Sequence, residues 1–511
     1  MATVTITHAG RQTALEVKPG VNLLTVLQNA GVSVSFPCNG NHTCGKCRVM
    51  VTGDVTEMNE QERQLLGDAA DKLRLACFIN VLGDCHVTMP RTGGNEQISM
   101  DYTADKAPLD PIYNGGYGIA IDIGTTTVAG YLFRHNSKDP IAVAGEMNRQ
   151  KSYGADVLSR IVYCNEHGVT PLRKIIRNQI ANISRQLCEK VGIDRSQIKA
   201  LCITGNTTML HILAELEPRS LAYAPFTPKS VFGGWQDWVF WTMPQAGVYL
   251  PKCISAYVGA DITCSILSSG ICRQEENVLL VDIGTNGEMA LRTKDRLICC
   301  STAAGPAFEG AGISCGSSAC TGAISSVSLR DGKICYKTVD GVKPQSICGS
   351  GLIDAVACLL QLGEIQPKGR FKNKEDLCVP IGNSGLTLTR NDIAQLLLAK
   401  GAIRAGMDTL MQHCNVSYDE LDKIIFCGGF GSYLNPRSAE LIGLIPPGTS
   451  GKTIAIGNAA GTGASRILQS RQLQAEAMQI ADMAESVELS TDPLFKPNYV
   501  KAMRFPDVSE L

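Results

Sequence analysis

The sequence has almost no charge imbalance, no long apolar run and no basic leader, and each lack removes a class of function. With 47 Lys and Arg against 48 Asp and Glu, the formal net charge of -1 provides no field to gather nucleic acid. No block of about five or six like charges forms an interaction tail. No stretch approaches the roughly eighteen consecutive apolar residues of a membrane helix. Met1 to Gly10 alternates polar and apolar residues, unlike a secretory signal, in which a basic stretch precedes an apolar one. The expectation is a cytoplasmic protein with neither nucleic acid nor membrane as partner.

At 511 residues the chain exceeds one ordinary core, and two to about four folded units are expected. Hydrophobic residues make 44% and charged residues 19%, with 51 glycines, a balance that suits a glycine-punctuated α/β enzyme and argues against disorder. Without a secretory signal, 21 cysteines read as thiols and metal ligands in preference to a disulfide framework. Such abundance suits an anaerobic cell.

Residues 1–90 read as a small α+β unit. Val4 and Ile6 alternate with polar neighbours, Ala14-Leu15-Glu16-Val17 repeats the pattern, and Val21, Leu24 and Leu27 then switch to helical spacing that ends at Gly31. Residues 91–116 are rich in Pro, Gly, Asp, Asn and Thr and read as a linker. From Tyr117, apolar strands ending in acidic, glycine-rich turns alternate with helical stretches, which predicts a mixed, largely parallel sheet over 117–470, followed by a C-terminal extension over 471–511.

Cys38, Cys44, Cys47 and Cys77 are separated by five, two and twenty-nine residues. The first three lie in Pro-Cys-Asn-Gly-Asn-His-Thr-Cys-Gly-Lys-Cys, a loop of small and polar residues that can wrap an inorganic cluster, and Gly40 and Gly45 let backbone N–H groups approach its sulfurs. The spacing resembles the plant-type ferredoxin pattern with one extra residue between the first two cysteines, as in adrenodoxin-like ferredoxins. A [2Fe-2S] cluster is the expectation; a structural zinc site or core thiols are the alternatives, although zinc usually takes two tight pairs. His42 reads as a solvent-facing loop residue, and Cys85, Cys299, Cys300, Cys315 and Cys320 as packing residues.

Two segments further on are near copies: Ile119-Ala-Ile-Asp122-Ile-Gly124-Thr125-Thr126-Thr127 and Leu279-Leu-Val-Asp282-Ile-Gly284-Thr285-Asn286-Gly287-Glu288. In each an apolar strand delivers an aspartate, then turns through glycine into hydroxyl or amide side chains. That arrangement can cradle a phosphate, while the aspartate holds Mg2+ through its water shell. The duplication implies two structural halves and a cleft between them.

Ile424-Ile-Phe-Cys-Gly428-Gly429-Phe-Gly431 offers glycines for close approach to an adenosine, and Ile456-Gly457-Asn458-Ala-Ala-Gly461-Thr-Gly463 a small-residue helix start for tight packing. Gly305, Gly349 and the Gly259-Ala260-Asp261 turn are further glycine-rich candidates for phosphate approach or plain structure. Pro447-Gly448-Thr-Ser-Gly451-Lys452-Thr453 mimics a P-loop, but Pro446 stands where the first glycine belongs, so it reads as a surface loop.

These four segments, in this order, resemble the superfamily of acetate and sugar kinases, heat-shock chaperones and actin. The resemblance implies that Asp122 and Asp282 position hydrated Mg2+, that the residues after each hold ATP phosphates, and that Gly428 and Gly429 line the adenosine pocket. Glu288 becomes a candidate for orienting the attacking water. The implied fold class is an α+β ferredoxin-like (β-grasp) N-terminal domain plus an α/β actin-like, ribonuclease H-like and duplicated, ATPase domain.

The fusion of the two resembles the reductive activators of corrinoid proteins. Ala-Gly-Pro-Ala-Phe-Glu-Gly at 304–310, Cys-Gly-Ser-Gly-Leu-Ile-Asp at 348–354 and Gly-Asn-Ala-Ala-Gly-Thr-Gly at 457–463 are of that family's type. The resemblance implies ATP-dependent transfer of one electron from the [2Fe-2S] cluster to the cobalt(II) corrinoid of a methyltransferase-system protein. An upstream low-potential electron donor is a further implied partner, and a homodimer stands open. Larger members carry an extra middle domain, which the short distance from linker to Tyr117 suggests is absent or much reduced here. The rival readings are a redox-gated small-molecule kinase, an ATP-independent electron-transfer module and a relative of the radical-dehydratase activators.

Overall fold

The computed structural model describes the chain apart from residues 9–10, 31, 33, 35–41, 43–44, 46, 90–101, 103–106, 432 and 508–511, and apart from the side chains of residues 8, 11, 28, 68, 430 and 431. Two compact units emerge: residues 1–94 with 149–163, and residues 95–148 with 164–511.

In the first unit the alternating N-terminal residues do what their period demands. β1 (Ala2–His8) and β2 (Arg11–Val17) form an antiparallel hairpin that buries Val4 and Ile6 on one face. The helix Leu23–Asn29 follows and buries Leu23, Leu24, Val26 and Leu27. β3 (Arg48–Val55), β4 (Arg74–Leu75) and β5 (Val81–Thr88) complete a five-stranded sheet in the order β2-β1-β5-β3-β4, with β1 and β5 parallel. Sheet and helix enclose one core, the β-grasp arrangement expected of a ferredoxin-like domain.

The second unit contains the same topology twice. β6 (Tyr117–Ile123), β7 (Thr127–Arg134) and β8 (Ala142–Met147) make an antiparallel meander. β9 (Ile198–Gly205) lies parallel on the other side of β6, and β11 (Gly247–Leu250) parallel to β9, with β10 (Gly234–Trp235) at the edge. β12 (Val278–Ile283), β13 (Gly287–Arg292) and β14 (Leu297–Thr302) repeat the meander.

The chain then leaves the second sheet. It builds a small sheet from β15 (Ala323–Arg330), β16 (Lys333–Thr338) and β17 (Ser346–Ile347), the helix Gly349–Gln361, a hairpin of β18 (Cys378–Pro380) and β19 (Thr387–Thr389), and the long helix Arg390–Cys414. It returns as β20 (Lys423–Cys427), parallel to β12, with β21 (Thr453–Ala455) beside it; β22 (Glu485–Val487) lies parallel to β14 at the opposite edge.

A meander followed by two parallel strands beside its first strand is the ribonuclease H-like order, and here it occurs once per half. β6 and β12 are central and covered on both faces, which is why they read as nearly unbroken apolar runs. The halves are knit by the helices Ala260–Ser269 and Ala459–Gln469, which cross so closely that a Cβ on Gly463 would stand 2.1 Å from the Cys264 carbonyl oxygen. Beyond residue 470, the helix Phe495–Ala502 packs along the helix Arg390–Cys414, where Asn498 donates to Thr409 Oγ1 at 3.1 Å. Among the described residues no helix is long and apolar enough to cross a membrane.

Candidate cluster and nucleotide sites

Pairing of β3 with β4 sets Arg48 opposite Leu75 and Val49 opposite Arg74, so the residue before β3 and the segment after β4 must converge. Ala76 N–H donates to the Cys47 carbonyl at 2.8 Å, and the Sγ atoms of Cys47 and Cys77 stand 3.3 Å apart in a buried position. Two thiolates on one tetrahedral ion are separated by about 3.7 Å, so the spacing fits a shared iron. The fully buried Glu62 carboxylate locks the approach: it accepts two bonds from Arg74, at 2.9 and 3.0 Å, and the Leu75 N–H at 2.7 Å. Gly45 takes φ +61° and lies 3.0 Å from the Leu65 carbonyl oxygen, measured from the Cβ it lacks. Cys38, Cys44 and Gly40 lie outside the described residues.

His42 differs from the solvent-facing expectation. Its ring stacks on Phe78 at 4.2 Å and Nε2 contacts the Cys77 carbonyl oxygen at 2.9 Å, because an imidazole beside an aromatic face gains more by packing than by full hydration. Cys85, Cys299 and Cys300 are buried, with thiols pushed up chiefly by that burial. Among the described residues no three His, Cys, Asp or Glu side chains stand close enough to hold a metal ion directly.

In the second unit, Asp122 near the end of β6 and Asp282 near the end of β12 occupy equivalent places in the two sheets. Asp122 is pushed up to about 7 by burial, with an opposing bond from Asn458 and a further push from Asp282; burial lifts Asp282 to about 6, opposed by the Cys427 thiol. Asp261, at the start of the helix Ala260–Ser269, and Glu288 on β13 are raised too, by burial and then by neighbouring carboxylates.

These carboxylates do not converge into a direct metal cage. They suit a divalent ion that keeps several of its waters, as Mg2+ does beside phosphates. Without such an ion, a cleft this acidic would repel a nucleotide.

The hydroxyls of the two turns each meet a side-chain partner. Asn206 donates to Thr125 Oγ1 at 3.3 Å, and Glu309 accepts from Thr126 at 2.9 Å and from Thr285 at 2.7 Å. Gly284 N–H donates to the Asn286 carbonyl at 2.9 Å, closing the second turn, and the Asn286 side chain bonds Glu288. Gly124 closes the first turn, with Thr127 O 3.0 Å from the Cβ it lacks.

Gly428 takes φ +85°, donates to the Gly457 carbonyl at 3.0 Å and leaves room for Asp282, whose Oδ1 would lie 2.2 Å from any Cβ there. Gly429 faces open space, and Gly431 closes the short helix Gly428–Gly431. Gly305 N–H donates to the Thr285 carbonyl at 3.0 Å and so joins the second turn.

Not every candidate gathers here. Gly349 starts a buried helix against β15, where Gly351 abuts the Ile324 carbonyl oxygen, and Asp354 accepts the Val327 N–H at 3.1 Å, which makes this segment a packing element. The P-loop mimic turns through a short 3-10 helix, Ser450–Lys452, into β21 instead of staying a surface loop, and the Lys452 ammonium is committed to the carbonyls of Tyr418, Asp419 and Leu421. Conversely, Asp261 and Glu309 face the cleft, although the sequence offered only the segments that contain them and assigned neither carboxylate a role. Gly259-Ala260-Asp261 read as a glycine turn open to phosphate approach or plain structure, and the 304–310 segment as a family-type motif, with no local pattern marking either carboxylate.

Comparison with known proteins places these sites in a family. Residues 6–82 match the family described as a 2Fe-2S iron-sulfur cluster binding domain, residues 117–274 the "RACo middle region", and residues 276–510 the "C-terminal domain of RACo the ASKHA domain". The chain is 35% identical over 438 residues to the corrinoid activation enzyme RamQ of Eubacterium limosum, covering 80% of this chain and 73% of that protein. It is 28% identical over 411 residues to the [Co(II) methylated amine-specific corrinoid protein] reductase of Methanosarcina barkeri, covering 72% of each. A solved structure of a reductive activator for corrinoid, iron-sulfur protein aligns over 99% of this chain and 98% of that one, at 30% identity and a TM-score of 0.71.

The expectation that the middle domain is absent or much reduced is also corrected. The middle region is present, at 117–274, and folds as the first of the two similar halves. It escaped notice because it opens with the same strand and phosphate-type turn as the second half.

Proposed function

This chain belongs to the RACo-type reductive activators of corrinoid proteins, and from that premise we propose that it uses ATP to pass one electron from a [2Fe-2S] cluster to the cobalt(II) corrinoid of a methyltransferase-system protein. Cys38, Cys44, Cys47 and Cys77 hold the cluster, which an upstream low-potential donor reduces. The electron it gives up converts cobalt(II) to cobalt(I). For one electron, each 59 mV by which the donor lies above the acceptor costs about tenfold in the equilibrium constant, so an uphill transfer needs coupling to a second process.

The observation that carries the reading is the pairing of Asp122 and Asp282 at equivalent strand ends, each followed by hydroxyls that reach the same point at Glu309. Residues of both halves thereby face one cleft. Asp122 and Asp282 hold hydrated Mg2+, Thr125, Thr126, Thr285 and Asn286 hold the phosphates, and Gly428 and Gly429 admit the adenosine. A ligand that contacts both halves favours the arrangement in which they bind it best, and so shifts the population toward that arrangement. The buried Glu288, beside Asp282 and Asp261, orients the water for hydrolysis.

Asp282→Ala tests the assignment. The visible spectrum of the cluster should persist while the ATP-dependent rise of cobalt(I) absorption in a mixed assay disappears. Undiminished cobalt(I) formation would reject the role of the cleft.

A further inference from the structure

Glu309 stands between the two phosphate turns. Its carboxylate accepts from Thr126 Oγ1 at 3.0 and 2.9 Å and from Thr285 Oγ1 at 2.7 Å. Thr285 belongs to Glu309's own half, whereas Thr126 follows β6 in the other half, so the Thr126 bond is the arm that crosses the cleft. The turn that presents Glu309 is built into the core: Phe308 is 1% exposed, and Gly305 and Gly310 bracket the turn at φ +78° and +76°. Gly310 lies so close to the chain that a Cβ would meet the Ser317 carbonyl oxygen at 2.3 Å. Glu309 is therefore held in place and is not a wandering surface carboxylate.

A threonine hydroxyl has one proton to donate. While Thr126 and Thr285 donate to Glu309, neither can donate to a phosphate oxygen, and a carboxylate repels a phosphate at that distance. Resting on the nucleotide reading above, we propose that Glu309 is a clasp of the nucleotide-free cleft: it stands in for a phosphate oxygen, ties the halves through Thr126, and must be displaced when ATP enters. Nucleotide affinity is then set partly by the strength of the clasp, and loss of the Thr126 bond is the event that tells one half that ATP has arrived in the other.

The test uses the full-length protein with its cluster and a non-hydrolysable ATP analogue with Mg2+. Glu309→Ala should bind the analogue about tenfold or more tighter than the parent, because a charge-assisted competitor is gone. Glu309→Asp, one methylene shorter, should also bind tighter, since it cannot span both hydroxyls. In the nucleotide-free protein, Glu309→Ala and Thr126→Val should lower Tm non-additively, and that coupling should vanish when the analogue is bound. Should the alanine variant fail to fold, the isosteric Glu309→Gln serves, with an intermediate gain in affinity.

Unchanged or weaker binding would overturn the clasp, as would an unchanged Kd with collapsed ATP hydrolysis, which would mark Glu309 as catalytic. Parent protein that binds the analogue while the variants gain nothing refutes the clasp alone. Failure of parent and variants alike to bind any analogue removes the nucleotide reading, and the clasp with it.

Discussion

Asn458 donates its amide to Asp122 Oδ2 at 3.0 Å and accepts the Gly461 N–H on its own Oδ1 at 2.8 Å, so a single side chain caps the helix Ala459–Gln469 and steers a cleft carboxylate. Asn458→Asp separates the two roles. Aspartate caps as well as asparagine and suits a helix N-terminus, so the helix cap should hold, but loss of the amide donor to the buried Asp122 should cost about 1–3 kcal/mol of stability. The new carboxylate faces Asp122, however, and should weaken Mg2+-ATP by about tenfold at pH 7, since each unit of added carboxyl pKa is worth that factor. Calorimetric titration beside a thermal melt checks both; unchanged affinity would remove Asp122 from the site.

That pair shows why the sequence was legible in part. Asp122 was readable because its strand and turn recur at Asp282, and repetition turns a common glycine turn into a signal. Asn458 was readable only as the start of a small-residue helix, because its partner is more than three hundred residues away. Asp261 and Glu309 lay in segments the sequence singled out, but their roles come from where the helix Ala260–Ser269 and the core-anchored Phe308 turn bring them. The small β15–β19 region was illegible for another reason. Its strands β17, β18 and β19 are two or three residues long, too short for a period to show.

Gly428→Ala adds a Cβ 2.2 Å from Asp282 Oδ1 and forces alanine to φ +85°. The backbone strain alone costs on the order of 1–3 kcal/mol. Because Asp282 must swing away, nucleotide binding should fall far more than stability does, while the spectrum of the cluster, in the other unit, stays unchanged. Loss of both together would point to general unfolding.

Gly463→Ala probes the helix crossing. A methyl group 2.1 Å from the Cys264 carbonyl oxygen cannot be absorbed by a rotamer change, since the obstacle is backbone. Overpacking of this kind costs about 1–3 kcal/mol. A melting curve should shift down accordingly, and a neutral result would mean that the two helices separate freely.

The cluster assignment predicts a difference between two buried cysteines of the first unit. Cys77→Ser should abolish bound iron or leave an unstable residue of it, because Cys77 and Cys47 present sulfurs 3.3 Å apart. Cys85→Ala should retain full iron, since Cys85 lies on β5 with its thiol pushed up by burial and by Asp84 and Asp54. Iron and acid-labile sulfide analysis under anaerobic conditions decides; zinc in place of iron would reject the [2Fe-2S] reading.

Lys400 gives the protein a pH dependence of its own. It is 1% exposed within the helix Arg390–Cys414, donates to the Arg504 carbonyl and lies 5.6 Å from the Phe505 ring centroid. Burial brings its ammonium down from 10.5 to about 7; Arg404 adds to the shift, and Asp408 opposes it. Arg404, Asp408 and Tyr418 are tied together beside it, with Arg404 Nε and Tyr418 Oη donating to Asp408 at 2.9 and 2.6 Å. Between about pH 7 and 10.5 the unfolded chain binds a proton here that the folded chain does not, so this residue makes stability rise with pH across that window. Below pH 7 both states are protonated and the cost of a buried charge is fully present. Lys400→Met removes that cost, so its Tm should exceed the parent's most at pH 6, and the advantage should shrink steadily toward pH 10. A constant difference in Tm across the range would show that Lys400 keeps its proton throughout, held by Asp408 and the Arg504 carbonyl.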